Sequence, residues 1–192
     1  VMLLRDQAGV AAFPQMSAAR ARSVLSAGQH RELCVLVEDD FAKLLLTEML
    51  RSIDPTLLKC MEVHGVGDIK AVRSGALLMQ RLERAYAAVR DPDIGPEPAI
   101  GLFSFPGTKP PEREVFENTD VRKSLYTEFG IDVANVLAQH NVTDHHEFTK
   151  VLAAEADALP GYLATCAIKA YLGSIGPTSY EPLVKSIQGR LP

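Results

Sequence analysis

The 192-residue chain has no tryptophan, three cysteines and only 6% aromatic residues. Its tyrosines and phenylalanines do not interleave with basic residues, so a stacking platform for single-stranded nucleic acid is not expected. Net charge is −4, which rules out binding of nucleic acid by bulk positive charge, though not through a local basic groove. The cysteines form no CxxC pair. Cys34, Cys60 and Cys166 are widely spaced among apolar neighbours and read as buried, reduced thiols. No apolar run approaches the roughly 20 residues that span a bilayer, and residues 1–10 lack the basic stretch and apolar core of a secretory signal, so a cytoplasmic chain with no membrane partner is expected. There is no G-x-x-x-x-G-K-[ST] phosphate loop, no internal repeat and no low-complexity tract, so ATP hydrolysis by that route is excluded for this chain alone.

What is present is an alternation of short apolar runs and amphipathic segments. Leu33–Val37 suits a buried parallel strand and ends at Glu38-Asp39-Asp40. A helix follows from Phe41 to Arg51, with the acidic residues at the end where its dipole favours negative charge. Lys59–Val63 reads as a second strand closed by His64-Gly65-Val66-Gly67, and a helix runs from about Asp68 to Arg84. Ala85–Val89 and Ile100–Phe105 are the third and fourth strands. After Phe105 a Pro-rich loop leads to a helix over Glu112–Glu117, and only helical patterns follow, at about 119–128, 131–139, 144–158, 161–173 and 179–189. Strands alternating with helices imply a parallel sheet flanked by helices. The expected organisation is an N-terminal segment at 1–29, read as the end of an upstream domain, an α/β core at 30–118 and an all-helical C-terminal extension at 119–192.

In open parallel sheets ligands bind beyond the carboxyl ends of the strands. Glu38 follows the first strand, and Asp91 and Asp93 follow the third. Three carboxylates facing one crevice call for a cation, and a set of hard oxygen ligands suits Mg²⁺ or Mn²⁺. Taken singly, each motif is also ordinary turn and capping chemistry. His64, at the end of the second strand, is a candidate phosphate contact. His145 and His146 lie near a predicted helix start behind Asp144. Adjacent helical residues point about 100° apart, so the pair is not expected to share one metal and reads mainly as structural or capping, with phosphate contact, by His145 above all, or proton transfer as the alternative. Arg51, Lys59, Lys70, Arg73, Arg81, Arg84 and Arg90 form the most basic stretch, either a solvated surface or a contact for DNA.

The motifs VLVEDDFAKLLLTEMLR, VHGVGDI, VRDPDIG, FPGTKPPEREVFEN and TDHHEF, in that order and spacing, resemble the Toprim domain of the overcoming-lysogenization-defect (OLD) family of nucleases, over roughly residues 31–150. The resemblance implies a Toprim-like, Rossmann-like fold and a Mg²⁺- or Mn²⁺-dependent DNA endonuclease or nickase using two ions. It implies Glu38, Asp91, Asp93 and Glu112 as metal ligands and catalytic residues, with Glu114 a weaker counterpart of Glu112 and Asp40 an additional ligand. Lys109 and Lys150 are candidates for the late lysine that such nucleases direct at transition-state charge. The chain departs from many Toprim domains in having Asp39 after the first glutamate and Pro92 between the two aspartates. The implied partners are DNA and an ATPase, on an upstream segment or a separate chain, in an antiphage defence system, with a homo-oligomer as a further expectation.

Two other readings remain. VLVEDD and Asp91 also resemble a response-regulator receiver domain phosphorylated on Asp91, with Lys109-Pro110 as its later Lys-Pro. Only 17 residues lie between Asp91 and Lys109, too few for two further β/α units. The third reading is a non-catalytic Toprim-like interaction module.

Overall fold

The computed structural model describes residues 2–6, 9–13 and 32–192. The expectations placed on Val1, 7–8 and 14–31 lie outside the described residues. Strands β1 (Met2–Asp6) and β2 (Gly9–Phe13) pair antiparallel, with Asp6 opposite Gly9. This hairpin was not read from the sequence.

From residue 32 onward the alternation of strands and helices holds. Strand β3 (Leu33–Val37) leads into α1 (Asp40–Ile53), β4 (Met61–Gly65), α2 (Ile69–Arg81), β5 (Tyr86–Arg90) and β6 (Leu102–Ser104). The four strands form an all-parallel sheet in the order β4-β3-β5-β6, with helices against both faces, a Rossmann-like arrangement. The chain passes from β3 outward to β4 and then returns across β3 to β5. The order therefore reverses between β3 and β5, and their carboxyl ends open a crevice there.

The caps explain where the helices start. Asp39 Oδ1 accepts the Ala42 N–H at 2.8 Å to begin α1, and Asp68 Oδ1 accepts the Ala71 N–H at 2.8 Å to begin α2. Strand β4 begins two residues later than expected because Leu57–Lys59 forms a 3₁₀ turn that takes up the preceding positions. Strand β6 is shorter than its apolar run, since Pro98–Ile100 is also a 3₁₀ turn and Gly101 follows at φ +63°.

Six helices complete the chain: α3 (Pro111–Phe116), α4 (Thr119–Phe129), α5 (Val133–Gln139), α6 (Phe148–Glu155), α7 (Pro160–Ile175) and α8 (Glu181–Gln188). The single helix expected over 144–158 is instead a 3₁₀ turn, His145–Glu147, followed by α6.

Period-two alternation divides the sheet's side chains between two cores. Leu33, Val35, Val37, Val63 and Val89 join a large cluster that also contains Leu125, Leu163, Ile168 and Val184 from the C-terminal helices. Leu36, Ala88 and Leu102 face the other way and pack under Val72 and Ala76 of α2. The helical extension thus covers one face of the sheet and shares its core, rather than standing apart from it.

None of the three cysteines forms a disulfide. Cys60 is buried as expected, whereas Cys34 and Cys166 are only partly covered. Among the described residues no single helix is long and apolar enough to cross a membrane.

Candidate metal centre

Because β3 and β5 are neighbours, the residues just past their ends meet. Glu38 Oε1 accepts the backbone N–H of Asp91 at 3.1 Å, joining the two strand ends across the crevice. Asp93 lies one turn further on, exposed but within electrostatic reach of both carboxylates. Buried Arg90 anchors the loop that carries them: its Nε donates to the Gly95 carbonyl at 2.7 Å, and its guanidinium pairs with Glu97 at 3.1 Å.

Glu112 arrives from the first turn of α3 and is 3% exposed, one of the few buried charged side chains among the described residues. His146 Nδ1 lies 3.2 Å from Glu112 Oε1 and 3.2 Å from Asp39 Oδ2, so a proton on this nitrogen bridges two carboxylates. Asp39 therefore has two tasks, capping α1 through Oδ1 and facing His146 through Oδ2.

The crowding of like charges shows in the acidities. Burial first, and then the charges of Glu38, Glu112, Asp93 and Asp39, push Asp91 from the ordinary aspartate value to about 7. Glu112 is likewise raised to about 7, by burial and then by Asp39, against the opposing pull of His146. Glu38 is raised by burial, opposed by its hydrogen bond from Asp91 and reinforced by Asp39 and Asp93. His146 would be lowered by burial, but Glu112 and Asp39 outweigh this and raise it. His145 is lowered, by burial and then by the neighbouring His146.

The expectation that His145 and His146 cannot serve one metal is corrected by the 3₁₀ turn on which they sit. Their rings lie 4.1 Å apart at 39°, and one nitrogen of each falls with a Glu112 oxygen in a group whose atoms are all within 4.8 Å of one another. The 100° argument assumed an α-helix and ignored the reach of the imidazole rings. These three residues could hold a metal ion.

Beside the carboxylates is a cleft of about 770 Å³. Glu38, Asp39, Asp40, Asp68, Glu112 and His146 make its polar wall, while Phe41, Leu44, Pro160 and Ala164 make an apolar one. Asp40 thus lines the cleft from the first turn of α1.

Other candidates are placed elsewhere. His64 sits in a separate hollow on the outer edge of the sheet with Lys43 and Thr47, 3.6 Å from Glu62, because its alternate position on β4 turns it away from the crevice. Lys109 pairs with Glu117 at 2.7 Å and Lys150 with Glu147 at 3.2 Å, and neither lines the cleft. Glu114 Oε1 accepts the backbone N–H groups of Thr108 and Lys109 at 2.7 and 2.9 Å, fastening the loop before α3. Of the basic stretch, Arg73 and Arg90 are both engaged by Glu97 and Arg51 by Glu48, while Lys70, Arg81 and Arg84 are exposed on or just after α2.

Asp39 and His146 belong to the centre although sequence reasoning did not assign them to it. Asp39 stood out as an acid at the start of the first helix and as a departure from a family pattern. The TDHHEF motif did mark His146, but its contact with Glu112 joins residues 34 positions apart.

The chain matches no family model, no curated protein and no solved structure.

Proposed function

We propose that this chain is a divalent-metal-dependent phosphodiesterase of the Toprim type, cutting or nicking DNA at the centre formed by Glu38, Asp91, Asp93 and Glu112. The observation that carries the reading is the convergence of these carboxylates at the reversal of strand order, with Asp91 raised to about 7 by burial and its carboxylate neighbours and Glu112 to about 7 by burial and Asp39. Such a set fits a divalent cation, because only positive charge relieves the crowding and every donor is a hard oxygen.

In this proposal Glu38, Asp91 and Asp93 hold Mg²⁺ or Mn²⁺ through their carboxylate oxygens, with Glu112 and Asp40 supplying further oxygen ligands. The bound ions would polarise the phosphate and acidify a water. Glu38, whose acidity is already weakened, is placed to accept a proton at the mouth of the crevice. While no cation sits on its ring, His146 Nδ1 shares a proton with Asp39 and Glu112 that could pass to a departing oxygen. Phe41 and Leu44 exclude water from the adjoining wall. The resemblance to the OLD family extends the proposal to an ATPase-linked antiphage system, with the ATPase on another segment or chain.

The receiver alternative is disfavoured because the described chain is helical after β6, with no fifth strand to present a later Lys-Pro.

The test is cleavage of supercoiled plasmid by the purified chain with Mg²⁺, Mn²⁺ or chelator, beside Asp91→Asn and Glu38→Gln. Metal-dependent nicking that each substitution lowers by at least about 100-fold is expected. Nicking that survives both substitutions would overturn the assignment, and a labile phosphate on Asp91 after treatment with a small phosphodonor would favour the receiver.

A further inference from the structure

Glu112, His145 and His146 carry a chemistry that an oxygen-only magnesium site does not need. Two of the three donors are imidazole nitrogens, and nitrogen donors favour zinc and its neighbours in the first transition row over Mg²⁺, which prefers oxygen and water. We propose that Glu112, His145 and His146 form a nitrogen-bearing site for a zinc-class dication, which shares Glu112 with the oxygen set of Glu38, Asp91 and Asp93 and differs from it in metal preference. This goes beyond the nuclease reading and does not rest on it, because the site is defined by metal binding alone.

The geometry supports it. Zinc bonds nitrogen and oxygen at about 2.0–2.2 Å, so neighbouring ligand atoms in a tetrahedral shell are about 3.3 Å apart. Glu112 Oε1 and His146 Nδ1 are 3.2 Å apart, and Asp39 Oδ2 is 3.2 Å from the same nitrogen, offering a fourth donor. His145 needs only a small ring movement to join them, since all three principal donor atoms already fall within 4.8 Å.

The surroundings hold the donors in place. Asp144 Oδ1 accepts the His146 backbone N–H at 3.0 Å, and Arg113 donates to the Thr143 carbonyl at 3.1 Å, tying the histidine turn to α3, which carries Glu112. Asp39 is held by its cap on Ala42. Outer contacts of this kind orient metal ligands and raise affinity. The Glu112 side chain is 4% exposed, whereas that of His146 is 54% exposed and borders the cleft, so an ion has a way in and an open coordination position.

The competing explanation is a metal-free ion pair, with protonated His146 shared by Glu112 and Asp39. The deciding experiment uses the full chain stripped with chelator, with no DNA present. Co²⁺ is titrated while the visible bands of low-coordinate cobalt are followed, and Zn²⁺ affinity is measured by competition with a chromophoric chelator. One equivalent of Co²⁺ is expected, displaced by Zn²⁺ but not by excess Mg²⁺. His145→Ala and His146→Ala should each weaken Zn²⁺ binding by about 100-fold or more, beyond the usual loss from an outer-shell change.

His140→Ala, which removes an exposed imidazole 3.7 Å from Glu155, should leave the affinity unchanged and so excludes casual surface binding. Thermal melts of the metal-free variants establish that each is folded. Absence of stoichiometric binding, or equal affinity in wild type and both histidine variants, overturns the inference. A cobalt site without DNA cleavage would sink the nuclease reading and leave this one standing, and cleavage without a cobalt site would do the reverse.

Discussion

Asp91 shows how a site can weaken the fold that carries it. Its carboxyl titrates at about 7 in the folded protein, whereas an unfolded chain would hold it near the ordinary 3.8. An acid whose pKa is raised by folding contributes stability below its ordinary value and loses that contribution as pH rises through the folded one. Glu112, also held at about 7, and the raised Glu38 act in the same direction, as does His146, while the lowered His145 opposes them. Chelator-treated protein should therefore melt at a higher temperature at pH 5 than at pH 8, with the decline falling between about 4 and 7. Asp91→Asn should flatten that decline and raise the melting temperature at pH 8, and Mg²⁺ or Mn²⁺ should do the same for the wild type. A melting profile in chelator that is flat across this range would show that burial and neighbouring charge do not raise these carboxyls as described.

At the scale of elements, the centre depends on three segments far apart in sequence being held in register. Phe41 at the start of α1, Phe116 at the end of α3 and Phe148 at the start of α6 pack beneath it. Phe41 and Phe116 have ring centroids 5.7 Å apart, and Phe116 and Phe148 are 6.4 Å apart. These same elements present Asp39 and Asp40, Glu112, and the turn bearing His145 and His146. Phe116→Ala should cost about 3–5 kcal/mol in denaturant unfolding, because Phe116 is fully buried and its neighbours cannot close the cavity. Metal affinity should fall as well, since the two rings resting on Phe116 would lose their common support. Phe116→Leu should keep most of both. A Phe116→Ala protein with unchanged metal binding would show that the elements are aligned by something else.

Gly65 plays a comparable part at the other side of the crevice. A Cβ there would stand 3.2 Å from the backbone carbon of Asp39, so any side chain at this position would press on the acidic turn, which would have to give by a few tenths of an ångström.

For the whole molecule, the segments on either side of residue 118 share one core. Leu125, Leu163, Ile168 and Val184 are all fully buried in the same cluster as Leu33, Val35 and Val89. A fragment spanning 30–118 would expose that face of the sheet to water. It should show no cooperative unfolding transition by circular dichroism and should be digested rapidly by protease, whereas the full chain resists. A sharply melting fragment would restore the view of a self-sufficient core with an appended tail.

The strand–helix alternation, the parallel sheet and the acidic strand ends were legible in the sequence because they are local. Leu33–Val37 has the composition of a buried strand wherever it lies, and Glu38 and Asp91 follow their strands directly. The 3₁₀ turns at Leu57–Lys59 and His145–Glu147 were not legible, since over three residues their pattern cannot be told from the edge of a helix or strand. His64 is placed at the strand's end by its sequence but lies within β4, which runs on to Gly65, so alternation along the strand sets the face it takes. By itself the sequence determined which residues are acidic and which segments are strands. Only the tertiary structure decided that Asp39, Glu112 and His146 meet, because their contacts close long loops and their worth depends on a burial that no single segment provides.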